Sequence, residues 1–324
     1  MPNVKRPRHG SMQYWPRKRA KREYPKVRHY ATVDKAIPLG FAGYKVGMTH
    51  VMCIDNRKFS KTKGEEISIP VTIIECPPLK IFSIRFYKKT ADGFKLLKEV
   101  VAKPDKELSR KVVLPKKQHD VKFVPEDYDD IRINVYTQPR LTGVGKKKPD
   151  MFELQIGGKL DTKLKYAQEN LGKEIHVKDI FKEGMLVDVH AVTKGKGFQG
   201  PVKRFGVQIR SHKAEKTKRG PGSLGAWNAQ GHIMYRVAHA GQMGYHTRTE
   251  YNKQLLKIGD KPDEINREGG FLHYGKIRNP YLFVKGSVQG PAKRLVRLCY
   301  SIRPQKAAGT DVSPTIEYVY NIKK

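Results

Sequence analysis

The stretch that decides how this chain is organised runs from Thr193 to Gly259 and reads TKGKGFQGPVKRFGVQIRSHKAEKTKRGPGSLGAWNAQGHIMYRVAHAGQMGYHTRTEYNKQLLKIG. Between Lys194 and Arg219 it carries nine Lys or Arg residues against one acid, Glu215, with glycine, proline and serine spread among them. No apolar period of 3.6 or 2.0 residues runs through this part, so we expect that it cannot bury a core of its own. The pattern predicts a long basic loop.

Trp227 lies near the far end of this loop, in the sequence GSLGAWNAQG. A large, rigid aromatic side chain in that position has nothing local to pack on, so we expect it to pack on something outside the chain. Nucleic acid suits both the tryptophan and the surrounding cations. In the alternative interpretation the tryptophan folds back on the protein, a turn that Gly222, Gly225 and Gly231 would allow.

The composition of the whole chain also points to a polyanionic partner. Its 324 residues allow one large domain or two, and the hydrophobic content of 38% is below the usual value of about 45–50%. A net charge of +34, from 65 basic and 31 acidic residues, calls for RNA, DNA or an anionic membrane as counter-charge. No membrane span or signal peptide is recognisable, so we expect an intracellular protein. The widely separated Cys53, Cys76 and Cys299 are expected to be buried apolar residues.

The N-terminal residues 1–29 form a second basic segment. They hold ten Lys or Arg residues and one Glu, interleaved with four prolines and with Tyr14, Trp15 and Tyr24. The prolines oppose a helix, the cations can neutralise phosphates, and the aromatic rings can stack on unpaired bases. We therefore predict an extended arm that penetrates RNA, with a solvated tail or a localisation signal as the alternatives.

The rest of the chain is predicted to be mainly β. Strands are predicted in residues 36–55, 67–75, 81–87, 131–140, 152–158, 185–192, 281–288, 293–302 and 314–322. Short strands on both sides of the basic loop suit one closed β-barrel from which residues 193–259 project, with residues 95–130 as a charged surface insertion. A helix is predicted from Asp161, as N-cap, to Gly172.

These elements divide the chain into six segments. We predict a basic arm over 1–35, a first barrel part over 36–75, a strand-containing region with the mixed α/β insertion over 76–160, a helix and barrel strand over 161–192, the central extension over 193–259 and a second barrel part over 260–324.

Two clusters of side chains raise the question of a metal site. They are Glu126, Asp127, Asp129 and Asp130 in the insertion, and His232, His239 and His246 in the extension. The acids lack the spacing of a ligand set, so a solvated turn is favoured over a metal site. The histidines recur every seven residues without a helical period or a cysteine partner, which favours RNA contact or packing. We predict no metal.

A glycine motif resembles that of a nucleotide-binding enzyme. Gly195, Gly197 and Gly200 form G-x-G-x-x-G after a predicted strand, and Glu215 lies roughly where an acidic ribose ligand is expected. The fingerprint requires a helix packed on a parallel sheet, whereas Pro201 leads into a polar basic run, so a dinucleotide site is rejected. With no nucleophile, base and orienting group elsewhere, we predict no catalytic residue, no cofactor and no small-molecule substrate.

Four sequence segments carry a family resemblance. They are DVHAVTKGKGFQG from Asp188 to Gly200, GAWNAQG, AGQMGYHTRTEYNK and FVKGSVQGPAKR. Together with the arm and TQPRLTGVGKKKP they resemble the universal large-subunit ribosomal protein L-three family over nearly the whole chain. The Trp-bearing tip and the insertion are similar to the archaeal and eukaryotic branch, and the short C-terminus favours the archaeal members.

The resemblance implies a barrel like those of translation factors, with two extensions driven into large-subunit rRNA. It implies a structural, non-enzymatic constituent of the cytoplasmic large subunit that supports its assembly, with rRNA and neighbouring ribosomal proteins as partners and no membrane. It places Trp227 toward the peptidyl transferase centre, near the entry corridor for aminoacyl-tRNA. Eukaryotic members can carry a methylated histidine in a T-H-R-G segment. Lys218 stands there in this chain, so that modification is not carried over.

We predict rRNA contacts at the cations and selected rings of the arm and the extension. The predicted rRNA-binding residues are Lys5, Arg6, Arg8, Trp15, Arg17, Lys18, Arg19, Lys21, Arg22, Lys194, Lys196, Lys203, Arg204, Arg210, Lys213, Lys216, Lys218, Arg219, Trp227, Arg236, His246 and Arg248. The predicted loop tip near the peptidyl transferase centre consists of Gly225, Ala226 and Trp227. A DNA-packaging protein is the alternative, weakened by the lack of a groove-reading helix. An rRNA-modifying enzyme would need a cofactor pocket that the sequence does not reveal.

Overall fold

The computed structural model describes residues 7–57, 59–114, 124–225, 231–304 and 314–320. The chain forms two compact units, one made of Met1–Arg22 and Val192–Thr247, the other of Glu23–Ala191 and Arg248–Lys324. We term the first the basic unit and the second the sheet unit. Each unit therefore combines segments that lie far apart in the sequence.

The secondary structure is mainly β, with 36% strand and 11% helix. The strands are β1 (Gly40–Ile54), β2 (Glu66–Glu75), β3 (Leu79–Thr90), β4 (Gly93–Val101), β5 (Asp130–Tyr136), β6 (Met151–Gln155), β7 (Glu174–Ile175), β8 (Leu186–Val192), β9 (Phe198–Gln199), β10 (Gly241–Gln242), β11 (Thr247–Gly259), β12 (Tyr281–Lys285), β13 (Leu295–Tyr300) and β14 (Thr315–Val319). The helices are α1 (Leu160–Asn170), α2 (Val177–Ile180) and α3 (Pro201–Phe205), with 3-10 turns at Lys106–Arg110, Pro139–Leu141 and Pro262–Glu264. Within the described ranges, no helix has the length and apolar character needed to cross a bilayer.

Six strands close into a hydrogen-bonded ring in the order β1, β2, β12, β11, β8 and β13, and β13 pairs back onto β1. The closing register is antiparallel, from Gly40 opposite Cys299 to Tyr44 opposite Leu295. The ring depends on close approach at Gly43, where a Cβ atom would lie 2.6 Å from Ile74 Cγ2. Strand β14 extends the ring sheet along the far end of β1.

A second sheet has the strand order β4, β3, β5 and β6. The short strand β7 pairs with the first two residues of β3, Leu79 and Lys80. The buried side chains of this sheet, such as Ile84 and Ile133, belong to the same apolar cluster as Phe41 and Leu298 of the ring. The predicted surface insertion is only partly exposed. Strand β4 is exposed over most of its length, but Leu108 in the following 3-10 turn is fully buried beside Phe82.

The predicted strands are confirmed, whereas two local expectations need correction. Helix α1 starts one residue before Asp161, so this acid lies in the first turn and Lys159 takes the N-cap position. Strand β11 covers Thr247–Gly259, which the sequence analysis assigned to the projecting extension. Its first half, TRTEYNKQ, lacks apolar alternation, so the pattern that predicted the other strands is missing there.

The acidic cluster in the insertion is exposed at Glu126, Asp127 and Asp129, as expected of a solvated turn, but not at Asp130. Asp130 is buried and accepts hydrogen bonds from Arg132, at 3.0 Å, and from Lys163, at 2.9 Å. Asp127 pairs with Lys88 in the same region. Asp127 and Asp130 are therefore neutralised by cationic side chains of the protein, and Asp129 accepts a hydrogen bond from the Lys89 amide at 2.6 Å.

The end of the predicted arm belongs to the sheet unit. Tyr24 is buried against Phe152, with ring centroids 6.3 Å apart, so the expectation that it stacks on RNA is wrong. The fully buried Arg297 lies over the Phe152 ring and donates to the carbonyls of Pro25 and Glu153 and to the Tyr30 hydroxyl. This guanidinium therefore attaches the chain near Pro25 to strand β13. The three cysteines are free and buried, as predicted.

Candidate nucleic-acid interface

The basic unit starts from a pair of antiparallel chain segments. The Thr193 amide donates to the His246 carbonyl at 2.9 Å, and the Lys196 amide donates to Met243 at 2.9 Å. Strands β9 and β10 continue this pairing. Gly244 has a φ of +69°, and a Cβ atom there would lie 2.1 Å from the Lys194 carbonyl oxygen. Only glycine fits, because any side chain would force the two segments apart.

Helix α3 follows β9 and gives the arm a surface to pack on. The sequence predicts a polar basic run after Pro201, but Pro201–Phe205 form a short helix with Gly206, at a φ of +70°, as its C-cap. Phe205 at its end is buried. The two strands beside it are antiparallel and two residues long, so the dinucleotide fold, which needs a parallel sheet, is not built here.

The arm packs on this helix through aromatic and guanidinium groups. Trp15 lies with its ring centroid 5.9 Å from Phe205 and 6.1 Å from Tyr235, and the Arg17 guanidinium lies 4.1 Å over the Phe205 ring. Stacked and edge-to-face rings, and cations over ring faces, stabilise such contacts. The arm and the extension, each too poor in apolar residues to bury a core, thus share a small one.

Two arginines in this contact are held by carbonyl groups. Arg204 donates to the carbonyls of Gln242, at 3.0 Å, and His239, at 2.8 Å, while Arg17 donates to the carbonyl of Arg204 at 3.0 Å. Burial lowers the pKa of both guanidinium groups, as does the positive charge of Arg8 on Arg17 and that of Arg17 on Arg204. Arginine keeps its proton in proteins, so this is a place of crowded positive charge.

The charge of the basic unit is not compensated internally. Its two segments contain 18 Lys or Arg residues and one acid, Glu215, whereas the sheet unit contains 47 Lys or Arg residues and 30 acids. Each unit therefore has a net charge of +17, but the basic unit carries it on about a quarter of the chain. A polyanion is the partner that such a surface attracts.

A cleft of about 760 Å³ opens between the arm and the extension, within the basic unit. Arg8, Arg210 and Arg236 contribute cations to its lining, and Val207 and Met234 contribute apolar surface. This volume lies in the range of about 300–1,000 Å³ typical of ligand pockets. Cations beside apolar side chains suit a nucleotide, whose phosphate and base need different contacts.

The predicted contact residues occupy different environments. Fourteen cations are exposed: Arg8, Lys18, Arg19, Lys21, Arg22, Lys194, Lys196, Lys203, Arg210, Lys213, Lys216, Lys218, Arg219 and Arg236. Trp15, Arg17, Arg204 and Arg248 are half-buried, and His246 is buried with Nδ1 2.9 Å from the Lys18 carbonyl. Arg248 belongs to the sheet unit. Gly225 is exposed, with a φ of +122°. Lys5, Arg6, Ala226 and Trp227 lie outside the described residues.

The aromatic rings that contact the arm were not predicted from the sequence. Phe205, Tyr235 and Tyr245 were not predicted as site residues, yet the first two contact Trp15, and the Arg19 guanidinium lies 5.4 Å from the Tyr245 ring centroid. Phe198, with 77% of its surface exposed, offers a further ring on β9. One feature of the sequence could have identified these rings. Single aromatic residues recur among the cations, and such a pattern indicates that rings and cations stack on one another.

The sequence profile of the family described as Ribosomal protein L3 matches residues 1–321. The chain belongs to this family. Three archaeal members, each named large ribosomal subunit protein uL3, illustrate how close the similarity is. The protein of Archaeoglobus fulgidus is 51% identical over 310 residues, 93% of this chain and 93% of its own length. Those of Methanothermobacter thermautotrophicus (49% over 332 residues; 98% and 97%) and Methanocaldococcus jannaschii (47% over 314; 94% and 93%) match similarly.

Family membership confirms the resemblance recognised from DVHAVTKGKGFQG, GAWNAQG and AGQMGYHTRTEYNK. In this L3-family chain, the first and third of these motifs supply the paired segments around Lys196 and Met243. The part of each motif that belongs to the basic unit runs over Val192–Gly200 in the first and Ala240–Thr247 in the third. The motifs that carried the resemblance therefore form the paired backbone segments from which exposed cations such as Lys194 and Lys196 project.

Proposed function

We propose that this protein is a structural constituent of the large ribosomal subunit in the cytoplasm, where it binds rRNA and supports subunit assembly. The observation that carries the proposal is the basic unit, in which 18 cations and one acid share a compact fold. Membership of the L3 family, and the names of its archaeal relatives, support the same conclusion.

The mechanism is scaffolding. Folded RNA brings phosphates together, and a narrow basic segment neutralises them where a globular surface could not enter. Arg17 and Arg204, held by carbonyl groups, give part of this charge a defined position. Phosphate contacts set position rather than read sequence, so the protein fixes RNA shape and leaves catalysis to the RNA.

Two finer features belong to the same proposal. The ring of six strands is a closed barrel similar to those of translation factors, and its register from Gly40–Cys299 to Tyr44–Leu295 supports this. The tip of the extension, including Gly225 and Trp227, reaches toward the peptidyl transferase centre. Neighbouring ribosomal proteins complete the surroundings of the sheet unit.

Two measurements test the proposal. Sedimentation of a cell lysate at low magnesium should place the protein with the large subunit. The purified protein should bind large-subunit rRNA more tightly than duplex DNA of equal length at the same salt concentration, since a folded RNA and not a uniform duplex fits an arm and a loop. Absence from the large subunit, with equal or tighter binding to duplex DNA, would instead support a DNA-packaging protein.

A further inference from the structure

A second cationic surface lies in the sheet unit, where two loops distant in sequence meet. These are residues 137–150, TQPRLTGVGKKKPD, and residues 270–280, GFLHYGKIRNP, which we term the paired loops. Asn279 Nδ2 donates to the Leu141 carbonyl at 3.0 Å. Gly143 lies against the second loop, since a Cβ atom there would be 3.5 Å from the Lys276 carbonyl oxygen. None of these residues was among the predicted contacts.

The buried carboxylate of Glu75, at the end of β2, fixes the second of these loops. It is fully buried, and its Oε1 accepts hydrogen bonds from the Arg278 amide at 2.8 Å and from the Asn279 amide and side chain at 3.0 and 2.8 Å. The Tyr274 hydroxyl donates to Oε2. A buried carboxylate is costly unless hydrogen bonds compensate it, so these four bonds hold the loop in one conformation.

The first loop is fixed at both ends. The Thr137 amide donates to the Asp150 carbonyl at 2.9 Å, and the Asp150 amide donates back to Thr137 Oγ1 at 3.0 Å. Lys146 donates to the Asp150 carboxylate at 2.5 Å. The lysines that follow Lys146 therefore project from a closed loop.

Among the exposed cations of the paired loops, Arg140 pairs with Glu107, whereas four others lack an acidic partner among the described residues. Lys147, Lys148, Lys276 and Arg278 are exposed, and none has an ion-pair partner in the described part of the chain. The nearby Asp150 carboxylate is occupied by Lys146. Four like charges in a unit with a net charge of +17 repel one another unless an external anion lies between them.

We propose that the paired loops are a second rRNA-binding surface, on which Lys147, Lys148, Lys276 and Arg278 contact backbone phosphates. The proposal rests on the proposed function, which supplies the RNA. Cations carried by a backbone that is already fixed lose less conformational freedom on binding than those of a mobile loop. The exposed side chains at these positions are charged and flexible, which suits phosphates better than the apolar centre of a protein interface.

The test uses the full-length protein and large-subunit rRNA. A variant with Lys147→Gln, Lys148→Gln, Lys276→Gln and Arg278→Gln should bind rRNA more weakly, and its log–log slope of affinity against salt should fall by about 3, from roughly 0.7–0.9 for each lost phosphate contact. A matched control changes four exposed lysines of the same unit that lie among acids. The control substitutions are Lys159→Gln, Lys165→Gln, Lys173→Gln and Lys182→Gln.

The control should change the slope by less than 1, because Asp161, Glu169 and Glu183 already reduce the local potential. Equal salt-dependence slopes for the two variants would overturn the proposal. The paired loops would then face solvent or a neighbouring protein rather than rRNA. Failure of the proposed function is a different result, since the unmodified protein would then show no preference for rRNA. Circular dichroism and thermal unfolding of both variants establish that each is folded.

Discussion

Arg297 shows how one buried cation can join distant parts of a chain. It is 2% exposed and donates to the carbonyls of Pro25 and Glu153 and to the Tyr30 hydroxyl. No carboxylate pairs with it in the described residues, so three oxygens and the face of Phe152 stabilise the charge. A buried guanidinium whose two terminal nitrogens donate in this way specifies where the chain around Pro25 and Tyr30 lies.

Replacing Arg297 with methionine should therefore destabilise the protein. Each buried acceptor left without a donor costs about 1–3 kcal/mol, so we expect the free energy of unfolding to fall by at least that amount. Chemical denaturation measures the change. Arg303→Met is the matched control, because Arg303 is an exposed arginine near the same strand, over Tyr251, and should change the free energy of unfolding by less than 0.5 kcal/mol. Equal losses would contradict the role assigned to Arg297.

His190 on β8 gives the sheet unit a defined pH dependence. Burial, and then the positive charge of Arg297, lower its pKa to about 4 against the opposing effect of Asp188. Its Nδ1 lies 2.8 Å from Thr249 Oγ1. In the unfolded chain the pKa is about 6.5, so between pH 6.5 and 4 the unfolded state binds more protons. Stability is then lost as the pH falls through this window.

We expect His190 to contribute a slope approaching 1.4 kcal/mol per pH unit in that window. The measurement compares the free energy of unfolding between pH 7 and 4.5 in the unmodified protein and in His190→Asn. Asparagine retains a hydrogen bond to Thr249 but does not titrate. The variant should be less sensitive to acid, and parallel curves for the two proteins would refute the assignment.

At the scale of elements, the contact between the arm and helix α3 can be tested at Trp15. Trp15→Ala removes ring contacts with Phe205 and Tyr235, each worth about 0.5–1.5 kcal/mol beyond the buried area. The amides of Arg204 and Gly206, which close α3, should exchange with solvent faster by about tenfold. The affinity for rRNA should fall, because the arm is no longer positioned.

The salt dependence separates this effect from loss of charge. Trp15→Ala removes no cation, so the log–log slope of rRNA affinity against salt should stay unchanged while the affinity drops. Trp15→Phe is the control, since it retains a ring at the same position. Unaltered exchange at Arg204 in the alanine variant would mean that the arm does not support α3.

How far the sequence predicted these elements depended on whether their signal was local. Apolar, β-branched runs such as ISIPVTIIE predicted β2 within one residue of its observed start. Strand β11 was not predicted because half of it is polar. Its position in the ring is fixed by pairing with β8 and β12 rather than by its own sequence pattern. The burial of Tyr24 escaped for the same reason. Its partner Phe152 lies in another part of the sequence, and nothing near Tyr24 announces it.

The sequence predicted which charged residues the candidate site contains, but not how the arm and the extension pack together. The exposed cations from Lys194 to Arg219 follow directly from the count of charges. The pairing of the arm with α3 does not, because Trp15 and Phe205 each sit in a basic, proline- or glycine-containing stretch that looks solvated by itself. The paired loops were missed because Glu75 organises one of them from a strand about two hundred residues earlier.

For the whole molecule, the prediction with the widest reach concerns Trp227. We expect it to stack among rRNA bases, so Trp227→Ala should remove about 1–3 kcal/mol of stacking without preventing assembly, since the nine cations from Lys194 to Arg219 remain. Mutant subunits should form and show altered tRNA binding or altered sensitivity to peptidyl-transferase antibiotics. Chemical probing of their rRNA and thermal unfolding of the isolated variant give the measurement.

The two readouts distinguish the two interpretations of Trp227. Changed rRNA reactivity around the peptidyl transferase centre, with unchanged thermal stability of the free protein, would support the stacking role. Unchanged rRNA reactivity together with a lower melting temperature would mean that the side chain packs on the protein itself. Trp15→Phe ribosomes serve as a control for loss of a tryptophan outside the tip.

The contact between the arm and α3 also sets an order of events during synthesis. Arg17 and Arg204, which bond to each other, are separated by 187 residues. At translation rates of about 5–20 residues per second, the arm waits roughly 10–40 seconds before its packing surface has been made. Throughout that interval a nascent chain exposes eight cations and Trp15 without their partner, in a compartment rich in competing RNA. The segment made first is thus among the last to reach its final surroundings.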